Sequence, residues 1–287
     1  MEIITKLAPL ALSYIMFSLG LQCKLSNFKK VLAKPKNLFI GLFSQVIVLP
    51  IIGLLFAYFA PVEAQYKIGI ILITCVPGAV TSNVLTKIVK GNIHLSMIMT
   101  VTASIISFIS IPLILTKIAP FLGLIKIIKF DLTFTKASLF LFFVSSVPVL
   151  FGALINNKFS NFAKSATPFF NKSSTVVFIA FVLLAWHSEF ERSLEGYKEL
   201  FWVLIMLLSS VIICINILLK VLKTNVRDSR TIVIEVFIQN GAMAIIVGSS
   251  IFGFNSGYLL MAAIYGLFQY KAFLIWYLID KRINRVV

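Results

Sequence analysis

The sequence predicts an all-α integral membrane protein of nine transmembrane helices, two of them discontinuous, arranged as inverted-topology repeats. Three observations lead there. Hydrophobic residues make up 60% of the 287 residues and mean hydropathy is +1.01, well above the roughly 45–50% apolar content of soluble domains. Apolar runs of about twenty residues, each long enough to cross the hydrocarbon core as a helix, recur along the whole length with short polar joints. Two of these runs are interrupted by helix-breaking and polar residues, at Cys75–Asn83 and at Glu235–Gly241. No room is left for a separate soluble domain.

Taken in order, the first span covers Ile3 to Cys23 and contains Pro9; it lacks the basic start and cleavage site of a signal peptide and is read as a retained helix. The second covers Asn37 to Ala60, with Gln45 and Pro50 inside it. The third is the first broken span, Tyr66 to Lys90, and the fourth runs from Asn92 to Ala119. After a longer connection containing Lys126, Lys129 and Asp131, the fifth covers Phe134 to Asn156. A polar joint from Asn157 to Lys172 precedes a short sixth span, Ser173 to Trp186. The seventh covers Leu200 to Leu222, the eighth is the second broken span, Ser229 to Phe252, and the ninth covers Tyr258 to Asp280.

The net charge of +16 is not the footprint of a nucleic-acid surface, because the cations fall in alternate connections. Lys24 to Lys36 holds five lysines, and Lys158/Lys164/Lys172, Lys220/Lys223/Arg227/Arg230 and Lys281/Arg282/Arg285 follow at every second joint. The positive-inside rule makes these joints cytoplasmic. Four glutamates between Ser188 and Glu199 suit the outer face, whereas four lysines between Thr116 and Lys136 run against the pattern and are outvoted. Nine spans then put the N-terminus outside and the C-terminus in the cytoplasm. The third and eighth spans enter from opposite faces, as inverted repeats require, giving repeats over residues 1–119 and 120–287. The first repeat is one helix short. Cys23, Cys75 and Cys214 show no paired spacing, so neither a disulfide framework nor a zinc site is expected.

The two interruptions carry the functional signal. Pro77 withholds a backbone N–H and Gly78 relaxes the chain, so the third span unwinds at membrane depth. Unwound backbone survives there only where protein or a hydrated cavity satisfies it. In the second interruption Glu235 is a carboxylate in mid-span, and intramembrane acids default to functional roles. Gln239, four residues on, shares its helical face, so the two can converge on one ion; Asn240 points elsewhere, toward a substrate. Ser82 and Asn83 follow the first break, where they either cap the freed amides or leave them to an anionic group; both uses stay open. Ser96 and Thr100 line one face of the fourth span. Alone they would be packing residues; beside Glu235, Ser82 and Asn83 they look like oxygen ligands for a small hard cation. Lys271, with Gln269 and Tyr270 before it, lies well inside the ninth span as a counter-charge for a substrate carboxylate or a partner of Glu235. His94 and His187 sit near span ends and read as interfacial. The sequence carries no HExxH, G-x-S-x-G or P-loop motif, so no catalytic residue is expected and the protein is not read as an enzyme.

These residues resemble the bile acid:sodium symporter family. Cys75-Val76-Pro77-Gly78-Ala79 through Ser82-Asn83, Lys90-Gly91-Asn92 and Leu95-Ser96 are similar to its first signature, and Glu235-Val236-Phe237-Ile238-Gln239-Asn240 to its second. Gly20-Leu21 to Lys24-Leu25-Ser26 and Lys34-Pro35-Lys36 also match, so the likeness covers nearly the whole chain. It implies a core domain in which the broken helices cross, a panel domain beside it, and two sodium ions behind the crossing. Carried over by motif, one Na+ takes oxygens from Ser82, Asn83, Ser96, Thr100 and Glu235. The other uses Gln45, Glu235 and Gln239 with the carbonyls of Val236 and Ile238. Val80, Thr81, Asn240, Gln269 and Lys271 would face the substrate. The chain departs from the family at Ala79, where a second glycine is usual, at Val80, where threonine is frequent, and at Gln269-Tyr270-Lys271, where relatives often carry His-Asn. Many relatives begin with an additional helix, which accounts for the incomplete first repeat.

The expectation is a sodium-coupled symporter of an organic monocarboxylate of bile acid, pantoate or 2-oxo acid type, working by alternating access in a bacterial inner membrane. Its partners are a small organic anion and the lipid bilayer, with no nucleic acid; the sequence leaves the oligomeric state open, and a monomer suffices. A proton-coupled carrier using Glu235, and a non-transporting membrane receptor of the same fold, are the alternatives.

Overall fold

The computed structural model describes residues 2–24, 31, 35–124, 133–188, 190–252 and 257–283. Leu25, Ser26, Lys34, Lys126, Lys129, Asp131, Glu189, the residues 253–256 of the last connection, and Arg285 lie outside them. The described chain is helical: α1 Glu2–Leu21, α2 Pro35–Phe59, α3 Ala64–Cys75, α4 Val80–Ile88, α5 Ile93–Phe121, α6 Phe134–Lys158, α7 Ser160–Ser188, α8 Phe190–Val221, α9 Val226–Phe237, α10 Gly241–Phe252 and α11 Tyr258–Ile283. Five stretches, in α2, α5, α6, α8 and α11, are long and apolar enough to cross a membrane, and Leu7–Leu21, α3 and α10 are shorter apolar helices. The fold is that of an all-helical integral membrane protein.

Three helices contain a π turn, Ser44–Val48 in α2, Ile114–Ile118 in α5 and Phe142–Ser146 in α6. Each is followed by a proline at the same offset, Pro50, Pro120 and Pro148. The regularity has a steric cause. Proline offers no N–H and its ring collides with the carbonyl one turn back, and widening that turn carries the carbonyl aside without ending the helix. The first π turn contains Gln45.

The polar joint expected over Asn157–Lys172 is not a joint. After Phe159 the chain re-enters helix at Ser160, and the helix that holds the expected sixth span, α7, runs 29 residues rather than beginning at Ser173. Its polar side chains serve α1: Asn171 Oδ1 accepts from Ser18 Oγ at 3.0 Å and from Gln22 Nε2 at 2.8 Å, and Tyr14 Oη lies 2.5 Å from Ser173 Oγ. The acidic connection likewise is helical from Phe190 onward, as the first turns of α8. Against α6, α1 packs backbone to backbone: a Cβ on Gly20 would fall on Val149 O and one on Gly152 on Phe17 O, so only glycine permits this approach. A buried core lies where α3, α10 and α11 meet, with residues 70–73, 245–247 and 259–265 all buried.

One end of the bundle is held by polar caps. Asn92 Oδ1 caps α5 at Leu95 N (3.3 Å) and Asn225 Oδ1 caps α9 at Asp228 N (2.9 Å). The Asp228 carboxylate then accepts from Asn37 (2.5 Å), Asn92 (2.8 Å) and Asn225 (2.8 Å), joining α2, the start of α5 and the start of α9. Arg230 pairs with Asp280 at 2.7 Å, tying α9 to α11. Bonds to a charged acceptor are the stronger class. Asp228→Ala, leaving three amides to water, is expected to destabilise the protein by about 2 kcal/mol, read as a lower Tm of the detergent-purified protein.

Candidate functional site: two broken helices around a buried carboxylate

Between α3 and α4 the chain is extended at Val76 (φ −74°, ψ 156°) and Ala79 (φ −79°, ψ 155°), and between α9 and α10 it opens at Ile238 (φ −91°, ψ 91°). Each break exposes the orphan backbone groups of two helix ends, and each satisfies the other's. Ala79 N donates to Ile238 O at 2.9 Å and Asn240 N to Pro77 O at 3.0 Å, an antiparallel bridge centred on Gly78 and Gln239. Gly78 is required by proximity. A Cβ there would stand 2.8 Å from Glu235 Oε2 and 3.1 Å from Glu235 O.

Glu235 is 1% exposed, seven residues or about 10 Å along α9 from Asp228. Arg230, the nearest basic residue in sequence, is engaged with Asp280. The carboxylate is instead ringed by hydroxyls from α4 and α5: Ser82 Oγ at 2.5 Å and Ser96 Oγ on Oε1, and Thr100 Oγ1 at 2.7 Å on Oε2. Each hydroxyl also faces a second oxygen: Ala79 O at 2.6 Å from Ser82, Asn83 Oδ1 at 2.8 Å from Ser96, and Ser96 O at 3.0 Å from Thr100. A hydroxyl has one proton to give. With Glu235 ionised, three of these six contacts are therefore oxygen against oxygen without a proton of their own. Hard oxygens in such excess suit a small hard cation such as Na+, with no thiolate or imidazole among them.

A second group adjoins the first. Gln45 is 4% exposed; its Nε2 donates to Val76 O at 3.1 Å and to Gln239 Oε1 at 3.0 Å, and its Oε1 is buried without a partner. Gln239, fully buried, donates through Nε2 to Val236 O and through its backbone N to Gln269 Oε1 at 2.8 Å. The Ile238 carbonyl takes the Ala79 bond and keeps one lone pair. A buried amide oxygen without a partner, on a side chain that bonds the next glutamine, can again serve a hard cation.

The structure thus gathers Ser82, Asn83, Ser96, Thr100 and Glu235 at one point and Gln45, Val236, Ile238 and Gln239 beside it. The residues read as substrate-facing are less uniform. Thr81 is exposed and Val80 partly so. Asn240 is 5% exposed and its Oδ1 caps α10 at Met243 N, 3.0 Å away. Gln269 is 2% exposed and bonded to the second break. Lys271 is exposed, its Nζ over the Phe268 ring at 5.3 Å, and is not among the partners of Glu235. Tyr270, which the sequence pattern presents only as part of a triplet, brings its hydroxyl within 3.0 Å of Thr81 Oγ1.

Crossed half-helices in an apolar bundle, with an oxygen-rich cluster at the crossing, define a membrane carrier class rather than a catalytic centre. The chain belongs to the sodium bile acid symporter family, whose profile matches residues 9–194. It is similar to the probable sodium/metabolite cotransporter BASS1 of rice chloroplasts, 27% identical over 246 residues, 84% of this chain and 58% of that protein. The uncharacterized sodium-dependent transporter YocS of Bacillus subtilis is 26% identical over 234 residues, 81% of this chain and 70% of that protein. The rabbit ileal sodium/bile acid cotransporter is 27% identical over 165 residues, 56% of this chain and 46% of that protein. These relatives are named as transporters, not enzymes.

Proposed function

We propose that the protein is a sodium-coupled symporter of a small organic monocarboxylate. The observation that carries this is the proton shortfall around Glu235: three hydroxyls ring a buried carboxylate, and the oxygens outnumber the protons that can join them. Sodium is the cargo that balances it, one ion held by Ser82, Asn83, Ser96, Thr100 and Glu235. A second is held by Gln45, Gln239, Glu235 and the carbonyls of Val236 and Ile238. The relatives' names, sodium/metabolite and sodium/bile acid cotransporter, point the same way.

In this proposal nine spans cross a bacterial inner membrane, with the N-terminus outside and the C-terminus cytoplasmic. Residues 1–119 and 120–287 are inverted repeats, supported by the opposite chain directions through the two breaks. The panel is α1, α6 and α7, which pack on one another, and the remaining helices form the core. The anion lies on the wall formed by Val80, Thr81 and Asn240, near the amides that open α4 and α10, where helix N-termini favour negative charge. Lys271 and Gln269 complete the proposed substrate set from α11. A ligand moves an equilibrium only by binding one state better. Sodium that joins α4, α5 and α9 stiffens that wall and so raises affinity for the anion.

The test uses purified protein in proteoliposomes and in detergent. Sodium, but not choline, is expected to raise thermal stability and to drive uptake of an organic acid from a panel of monocarboxylates. Uptake that persists undiminished in choline, with no sodium-dependent shift, overturns the proposal. One proton on Glu235 would also relieve part of the shortfall; uptake driven by a pH gradient without sodium would establish that proton-coupled alternative.

A further inference from the structure

The second break is not held by the first break alone. On α11, Tyr265 and Gln269 stand four residues apart and therefore on one face. Both are buried, at 0% and 2% exposure. Tyr265 Oη donates to Phe237 O at 2.9 Å, the last carbonyl of α9, and Gln269 Oε1 accepts from Gln239 N at 2.8 Å. These are two backbone groups of the kind a helix break orphans, one on each side of Ile238. Between them Ile238 O takes the Ala79 bond. Two successive peptide groups are thus held: 237–238 by Tyr265 at its carbonyl, and 238–239 by Ala79 at its carbonyl and by Gln269 at its N–H. The Gln239 side chain leaves this fixed backbone and its Oε1 accepts from Gln45 Nε2, while the Gln45 Oε1 is unpartnered.

We propose that Tyr265 and Gln269 form a brace that positions the second cation site. They do not touch the ion; they hold the Gln239 backbone so that its side chain and the Val236 and Ile238 carbonyls keep their spacing. The assignment rests on the sodium site proposed above and gives Gln269 a positioning role beside the substrate contact proposed there. It also makes α11, like α2 through Gln45, a helix that reaches both broken segments, since Tyr270, one residue further, reaches Thr81 on α4 at 3.0 Å. Occupancy at Gln239 is then sensed by the same helix that holds the wall at Thr81.

The test is a sodium titration of thermal stability in the full-length protein, with wild type, Tyr265→Phe, Gln269→Leu and Gln269→Glu. In the wild type a saturable shift must appear; without it the sodium reading itself fails. Given that shift, Tyr265→Phe and Gln269→Leu are expected to raise the sodium midpoint about tenfold, the size that follows when one buried backbone bond is lost from the sodium-bound state. Gln269→Glu keeps an acceptor oxygen at the same reach and is expected to stay closer to wild type than Gln269→Leu. Midpoints that coincide with wild type, even with a lower Tm in the absence of sodium, overturn the brace and leave these residues a packing role. Tyr265→Phe removes one oxygen atom and decides the question where Gln269→Leu does not fold.

Discussion

Glu235→Gln is expected to abolish the sodium-dependent rise in thermal stability while leaving the sodium-free protein as stable as the parent, or more so. The two halves of that outcome have opposite signs and one cause. In the parent the buried carboxylate is ringed by hydroxyls from Ser82, Ser96 and Thr100, without a cationic side chain among these partners. A buried charge without a counter-ion is costly, and a neutral isostere removes that cost. The amide also brings protons of its own to a cluster short of them. What it cannot do is neutralise a cation. A ligand at about one hundred times its Kd contributes about 2.7 kcal/mol of stability, and that increment is expected to vanish. The measurement is Tm against sodium concentration with choline balancing ionic strength. A variant that retains the full shift would remove Glu235 from the site.

Gly78→Ala is expected to have the next largest effect, although it adds one methyl group. The new Cβ would stand 2.8 Å from Glu235 Oε2 and 3.1 Å from the Glu235 carbonyl. The carboxylate can swing, but only by leaving Thr100; the carbonyl belongs to α9 and moves only with it. Overpacking of this sort costs about 1–3 kcal/mol, and the displaced carboxylate is expected to raise the sodium midpoint by about tenfold or more. Both are read from the same titration. Parental stability and midpoint in the Gly78→Ala variant would mean that the breaks are not in contact as described.

The sequence made the breaks legible because they violate a rule with a large penalty. Pro77 and Gly78 in one apolar run, and Glu235 and Gln239 in another, have no inexpensive explanation inside a membrane. Their pairing was not legible from periodicity or composition. The bonds from Ala79 to Ile238 and from Asn240 to Pro77 join backbone atoms, which carry no residue signature, so only the family likeness implied the crossing. The misplaced joint has a different origin. Asn157 to Lys172 is polar enough to read as a loop, yet Asn171 and its neighbours are polar because they face Ser18, Gln22 and Tyr14 across a helix interface. The π turns were hidden as well: Pro50, Pro120 and Pro148 announce a disturbance but not that the turn before them widens. Gln269 shows the limit from the other side. A polar residue in an apolar helix suggests a ligand contact, and nothing in its identity tells a ligand from an orphaned amide.

The bridge at Gly78 and Gln239 also constrains how such a carrier can move. Parting the two breaks would strip hydrogen bonds from Ala79, Ile238, Asn240 and Pro77 together, in surroundings where no solvent stands ready to replace them. In the carrier proposed above, the knot they form is the part expected to stay fixed, and access to the proposed ions is expected to change by shifting the wall around it, first past one of its sides and then past the other.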